Sequence, residues 1–176
     1  RVYAGNSAGV VVALDLAGGS EHWRCSLGAG IRTRAAVGQG RVFVGLADGG
    51  VVALDAGTGG VVWRTRLGGR PTPEMALTGG ALVVASVDRG VYALDPGSGR
   101  LLWQYATQGV VRGSPATSCR TVYCGSSDGQ VYGLDLGTGQ LAWSYRLDGP
   151  ALEPVCVGEG VMSIASENRT VYSFGR

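Results

Sequence analysis

The chain has 176 residues, 45% of them hydrophobic and 16% charged, with a formal net charge of +2 at neutral pH. That length can enclose a core of its own, and the interleaved charges form no basic stripe of the kind nucleic acid selects. Thirty-two glycines without a Gly-X-Y register exclude collagen, and no apolar run reaches the length of a membrane span.

In chain order the segments RVYAGNSAGVVVALD, RVFVGLADGGVVALD, ALVVASVDRGVYALD and TVYCGSSDGQVYGLD begin at Arg1, Arg41, Ala81 and Thr121, and VMSIASENRTVYSFG opens a fifth copy at Val161. Trp23, Trp63, Trp103 and Trp143 are the only tryptophans, each 40 residues from the next. A fixed period of this size marks stacked copies of one supersecondary unit. Each copy carries four short apolar runs, in the second copy 41–45, 51–55, 60–65 and 71–77. They are rich in Val, Leu and Tyr and too short for helices, which predicts strands. Ala-Asp-Gly-Gly at 47–50, Ala-Gly-Thr-Gly at 56–59 and Thr-Gly-Gly at 78–80 supply hairpin turns. The expected fold is all-β, a β-propeller of four-stranded antiparallel blades. Its blade units fall at about 1–27, 31–67, 70–107, 110–147 and 150–176, within one propeller domain or fragment. A sandwich or open meander has no reason to keep so strict a period.

A motif accompanies each tryptophan. Ala53, Asp55, Thr58, Gly59 and Trp63 read A-x-D-x-x-T-G-x-x-x-W. Ala93, Asp95, Ser98, Gly99 and Trp103 repeat it, as do Gly133, Asp135, Thr138, Gly139 and Trp143. The first copy is degenerate, with Ala13, Asp15, Gly18, Gly19 and Trp23. A small residue leaves room for an indole from a neighbouring strand or blade, Asp and Thr or Ser can bond turn amides, and Gly takes the left-handed corner. Burying one indole stabilises by about 4–6 kcal/mol before entropy. The tryptophans are therefore assigned to blade docking, not to a ligand.

The stretch from Val122 to Trp143 matches VYxGSxDGxVYxLDxxTGxxxW and resembles the pyrroloquinoline-quinone-type (PQQ-like) propeller repeat, over essentially the whole chain. That family includes quinoprotein alcohol dehydrogenases, an outer-membrane assembly lipoprotein, propellers appended to actinobacterial serine/threonine kinases and propellers ending some adenylate-forming enzymes. The resemblance implies that the innermost strand often reads Ser-Pro, here Ser114-Pro115 within about 111–117. Strands B, C and D of that blade follow at 121–125, 130–135 and 140–146. On this numbering the chain holds B-C-D, three full blades and A-B-C, about 18 strands. The ends duplicate B and C, so the preferred expectation is part of a larger ring. A small ring, or two chains sharing one, stays open. Open edges invite self-association, which sedimentation would reveal.

The cysteines are Cys25, Cys119, Cys124 and Cys156, with no C-x-x-C and a single His, His22, so a zinc site is not expected. Free thiols are preferred to disulfides, Cys124 and Cys156 are expected to be small buried hydrophobes, and the compartment stays open. There is no G-x-S-x-G, H-E-x-x-H or P-loop, and no catalytic residue, metal or cofactor is assigned. Quinoproteins of the family add a stacking Trp, an adjacent Cys pair and calcium ligands, whereas Asp48, Asp88 and Asp128 here belong to B–C turns. The residues free of the repeat on the innermost segments are Arg32, Arg34, Arg70, Glu74, Arg112 and Glu153. They are the candidates for a channel mouth that binds a protein partner or a small polar ligand, with Arg34, Glu74 and Arg112 lining it; the alternative reading is solvated rim charges. The expected function is a non-catalytic scaffold and recognition module of a larger bacterial protein, of sensor-kinase or envelope-assembly type. The lysine-free, Gly- and Ala-rich composition leans toward the kinase type. The alternatives are a fragment of a quinone-dependent dehydrogenase and an accessory propeller of an adenylate-forming enzyme.

Overall fold

The structure, a computed structural model, describes every residue except Gly79 and Arg176. Its described residues form eighteen strands and no helix. β1 (Val2–Gly5), β2 (Val10–Leu14) and β3 (Glu21–Ser26) make the first sheet. β4 (Ala36–Gly38), β5 (Arg41–Gly45), β6 (Gly50–Asp55) and β7 (Val61–Arg66) make the second. β8 (Ala76–Leu77), β9 (Leu82–Ala85), β10 (Gly90–Leu94) and β11 (Leu101–Ala106) make the third. β12 (Ala116–Ser118), β13 (Thr121–Gly125), β14 (Gln130–Asp135) and β15 (Leu141–Arg146) make the fourth. β16 (Cys156–Gly158), β17 (Val161–Ala165) and β18 (Val171–Phe174) make the fifth. Each sheet is an antiparallel meander, and the arrangement is the expected B-C-D, three full blades and A-B-C.

Sheet stacking explains the apolar runs. β6 and β10 are buried along almost their whole length. Alternate side chains point to opposite faces of a strand, so both faces of these sheets must be covered. Val52 and Leu54 pack with Val11 and Trp23 of the first sheet, while Val51 and Ala53 pack with Leu82 and Val84 of the third. β2, covered on one face, alternates between half-buried and buried instead. Four apolar clusters thus fill the four spaces between successive sheets.

The innermost strand is shorter than the apolar run suggests. Of 71–77 only Ala76–Leu77 is strand, with Pro71 bridging Ser86 separately. Pro71 and Pro73 have no N–H to give a ladder. Between bridge and strand the backbone turns to the neighbouring sheet, where Arg34 N donates to Pro73 O (2.7 Å) and Val155 N to Ser114 O (3.4 Å). All four cysteines are free thiols. Cys124 is fully buried in the cluster between the third and fourth sheets. Cys156, expected to be buried, is exposed. Its repeat equivalents Ala36, Ala76 and Ala116 each pack into the space shared with the following sheet, and no sheet covers that face of β16 among the described residues.

Candidate functional site

The repeated residues build the joints between sheets. Trp23, Trp63 and Trp103 are each 8% exposed. Their indole N–H groups donate to Ala56 O (3.1 Å), Pro96 O (3.0 Å) and Leu136 O (2.8 Å) of the next sheet. The rings lie against the turn glycines of that next sheet. A Cβ on Gly59 or Gly99 would stand 2.5 Å from Cε3 of Trp23 or Trp63, and one on Gly139 would stand 2.5 Å from Cδ2 of Trp103. These glycines have φ of 76°, 73° and 72°, so both conformation and close approach call for glycine. The small residue serves the tryptophan of its own sheet: Ala13, Ala53, Ala93 and Gly133 pair across the ladder with Trp23, Trp63, Trp103 and Trp143. A register shift precedes each tryptophan in all four sheets that carry one, leaving His22, Val62, Leu102 and Ala142 as the extra residues. Such a bulge twists the strand and re-aims the next side chain.

The carboxylates of the motif hold the turns. Asp55 Oδ1 accepts from Gly57 N, Thr58 N and the Thr58 hydroxyl at 2.8–3.0 Å. Asp95 does the same with Ser98, and Asp135 with Gly137 and Thr138. Asp15 in the degenerate copy accepts only the amides of Ala17 and Gly18. Hydroxyl and amide donors hold Asp55, Asp95 and Asp135 below the usual carboxylate range, the Thr58 and Ser98 hydroxyls acting most strongly on the first two and the Thr138 amide on the third.

The B–C turns reveal residues that sequence reasoning missed. Asp88 and Asp128 accept from the hydroxyls of Tyr92 (2.6 Å) and Tyr132 (2.8 Å), and burial above all pushes both phenols up to about 12. The signal was the D-x-x-x-Y spacing in the third and fourth copies; the second has Val52 at that place, and its Asp48 pairs with Arg64 (3.0 Å). Asp148 is likewise unforeseen. It accepts from Ser166 Oγ (2.6 Å) and Thr170 Oγ1 (2.7 Å), fastening the fourth and fifth sheets together. His22 is exposed, 3.8 Å from Asp15.

Two cavities bear on the site. The larger, about 640 Å³, is lined by Tyr123, Trp143, Tyr145, Met162 and Phe174. It lies beside Trp143, which packs on Phe174 (5.8 Å between ring centres) as Trp23, Trp63 and Trp103 share clusters with Leu54, Leu94 and Leu134 at the equivalent position. The smaller, about 480 Å³, opens between the innermost segments of the third and fourth sheets and is lined by Arg70, Thr72, Pro73, Val87, Val110 and Arg112. Of the six candidates at the channel mouth, Arg34 and Glu74 form an ion pair from the second sheet's segment to the third's. Arg70 and Arg112 both line the smaller cavity, and they, like Arg32 and Glu153, are exposed. Glu153 does bring its carbonyl against Gly113, where a Cβ would meet it at 2.2 Å. The residues do not fit a stacked quinone. Trp23, Trp63 and Trp103 are engaged on glycines of the next sheet, and no two cysteines are adjacent.

The family model described as outer membrane protein assembly factor BamB matches residues 7–174. Among solved structures, BamB from Moraxella catarrhalis is similar, with 27% identity and a TM-score of 0.87, over 99% of this chain and 56% of that one. The computationally designed Ika8 protein shares 20% identity at a TM-score of 0.88, over 99% and 55% of the two chains. The designed Ika4 protein shares 20% at 0.76, over 85% and 93%. The last two likenesses speak to fold alone. No curated relative matches in sequence. The chain thus spans little more than half the length of the first two structures, and the expected propeller architecture stands. With stacked four-stranded sheets, indole joints and a family match over nearly its whole length, the chain belongs to the PQQ-like propeller family described as outer membrane protein assembly factor BamB.

Proposed function

We propose that this chain is a non-catalytic propeller module of a larger bacterial protein of the envelope-assembly type, serving as a rigid platform for a protein partner. The observation that carries this reading is the match to the assembly-factor family over residues 7–174. The use of the repeat residues supports it. Indoles, turn carboxylates and turn glycines are all engaged in holding sheets together, so the repeat itself is left with no chemistry. Recognition then falls to residues outside the repeat, at the inner mouth: Arg32, Arg34, Arg70, Glu74, Arg112 and Glu153. A platform of this kind acts by geometry, presenting charges from consecutive sheets on a held backbone.

Deleting the gene in its host and quantifying outer-membrane proteins by mass spectrometry tests the reading. Depletion of membrane β-barrel proteins is the expected outcome. Unchanged levels would refute it.

A further inference from the structure

We infer that the cavity between Arg70 and Arg112 is a binding site for an acidic segment of a partner polypeptide, in which carboxylates engage the two guanidinium groups and apolar side chains rest on Val87, Val110 and Pro73. This rests on the protein-recognition reading above and names the chemistry of the partner.

Both arginines stand on backbone that cannot easily move. Arg70 O accepts from Val87 N and from Ser86 Oγ, each at 3.1 Å, and Pro71 beside it is buried. Val111 and Gly113, flanking Arg112, are buried as well. The side chains themselves are unused: among the described residues neither guanidinium makes a hydrogen bond or an ion pair with the protein. Among the described residues the acids of these segments other than exposed Glu153 are already taken, and Glu153 pairs with neither arginine. Glu74 pairs with Arg34, and Asp88 accepts from Gly90 N (2.8 Å) and the Tyr92 hydroxyl (2.6 Å). Two exposed arginine side chains on held backbone therefore border one concavity without an internal counterion.

The mixed charged and apolar rim favours a peptide carboxylate over free phosphate. Phosphate sites are commonly built from converging backbone N–H groups. Here Thr72 N donates to Ala85 O (2.8 Å), Val87 N to Arg70 O (3.1 Å) and Val110 N to Ser127 Oγ (2.8 Å). Three of the rim amides are thus spent inside the fold, and the planar guanidinium forks, which pair with an anionic oxygen group two bonds at a time, are the charged donors a ligand meets. The valines and the proline favour a peptide over a small ion, because they add apolar contact to the charge pairing.

The test uses the intact protein and a short fluorescein-labelled peptide alternating glutamate and leucine, followed by fluorescence anisotropy. The acidic peptide should bind about tenfold or more tightly than its glutamine counterpart and weaken with added salt. Arg70→Gln with Arg112→Gln should lose about tenfold or more in affinity, with an unchanged circular dichroism spectrum, while Arg146→Gln, on an outer strand, binds as the parent does. Equal affinity for the two peptides, or undiminished binding by the double variant, would overturn the proposal. So would displacement of the peptide by inorganic phosphate at constant ionic strength, which assigns the cavity to small anions. If gene deletion depletes outer-membrane proteins yet the peptide fails to bind, the assembly reading stands and this site is removed from it.

Discussion

Replacing Gly99 with alanine should separate the two demands placed on a turn glycine. Gly99 has φ of 73°, and the new Cβ would lie 2.5 Å from Cε3 and 2.6 Å from Cδ2 of Trp63. Holding alanine in the left-handed region costs roughly 1–2 kcal/mol. The indole must also move out of a site in which it is 8% exposed, an overpacking of about 1–3 kcal/mol. Its hydrogen bond to Pro96 O, 3.0 Å, is lost with the movement, for about 1 kcal/mol more. The expected loss is about 3–6 kcal/mol. Gly40→Ala is the matched control. Its φ is 71°, and no atom lies within 4 Å of the added Cβ, so only the backbone term of roughly 1–2 kcal/mol applies. Urea denaturation followed by circular dichroism measures both. In a Trp63→Ala background most of the excess at Gly99 should disappear, since the ring is gone and only the Thr65 hydroxyl, 2.8 Å from the added Cβ, remains close. Equal losses at Gly99 and Gly40 in the parent background would refute the joint between indole and turn.

The remaining predictions concern thiols and acid. Burial pushes the Cys124 thiol up to about 12, so in the folded chain maleimide should modify exposed Cys119 and Cys156 readily and leave Cys124 intact until urea is added; labelling of all three at one rate would contradict the packing between the third and fourth sheets. The folded-state carboxyls of Asp55, Asp95 and Asp135 lie below their unfolded values. Their contribution is therefore complete above the unfolded pKa of about 4 and is lost as pH falls through the lower folded values. Stability measured by urea denaturation should decline in that acid window, with a shallower decline in Asp95→Asn; an identical acid profile for the two proteins would count against the turn assignment.

Much of the architecture was legible because one constraint was written several times. The 40-residue return of Trp63 and its counterparts located the second, third and fourth strands of each sheet to within a residue or so. It also placed Asp55, Asp95 and Asp135 in turns, since a short carboxylate beside Gly and Thr or Ser has few other uses. The candidate site was less legible. Arg70 and Arg112 were visible as departures from the repeat, but they stand 42 positions apart in the chain, not 40, and only the packing of adjacent inner segments brings them into one cavity.

What the sequence determined by itself was the repeat unit: local hydrogen bonding and alternation act over a few residues, and identical copies make that local signal unmistakable. The tertiary structure decided the rest. The indoles of Trp23, Trp63 and Trp103 seat on the turn of the following sheet, not of their own, and their donated bonds reach 33 residues ahead. A bulge before each tryptophan turns it outward to make that reach, Cys156 lies exposed where its alanine equivalents are covered, and two arginines are left without counterions. Each of these depends on which surface stands opposite, and a strand's own residues do not carry that information.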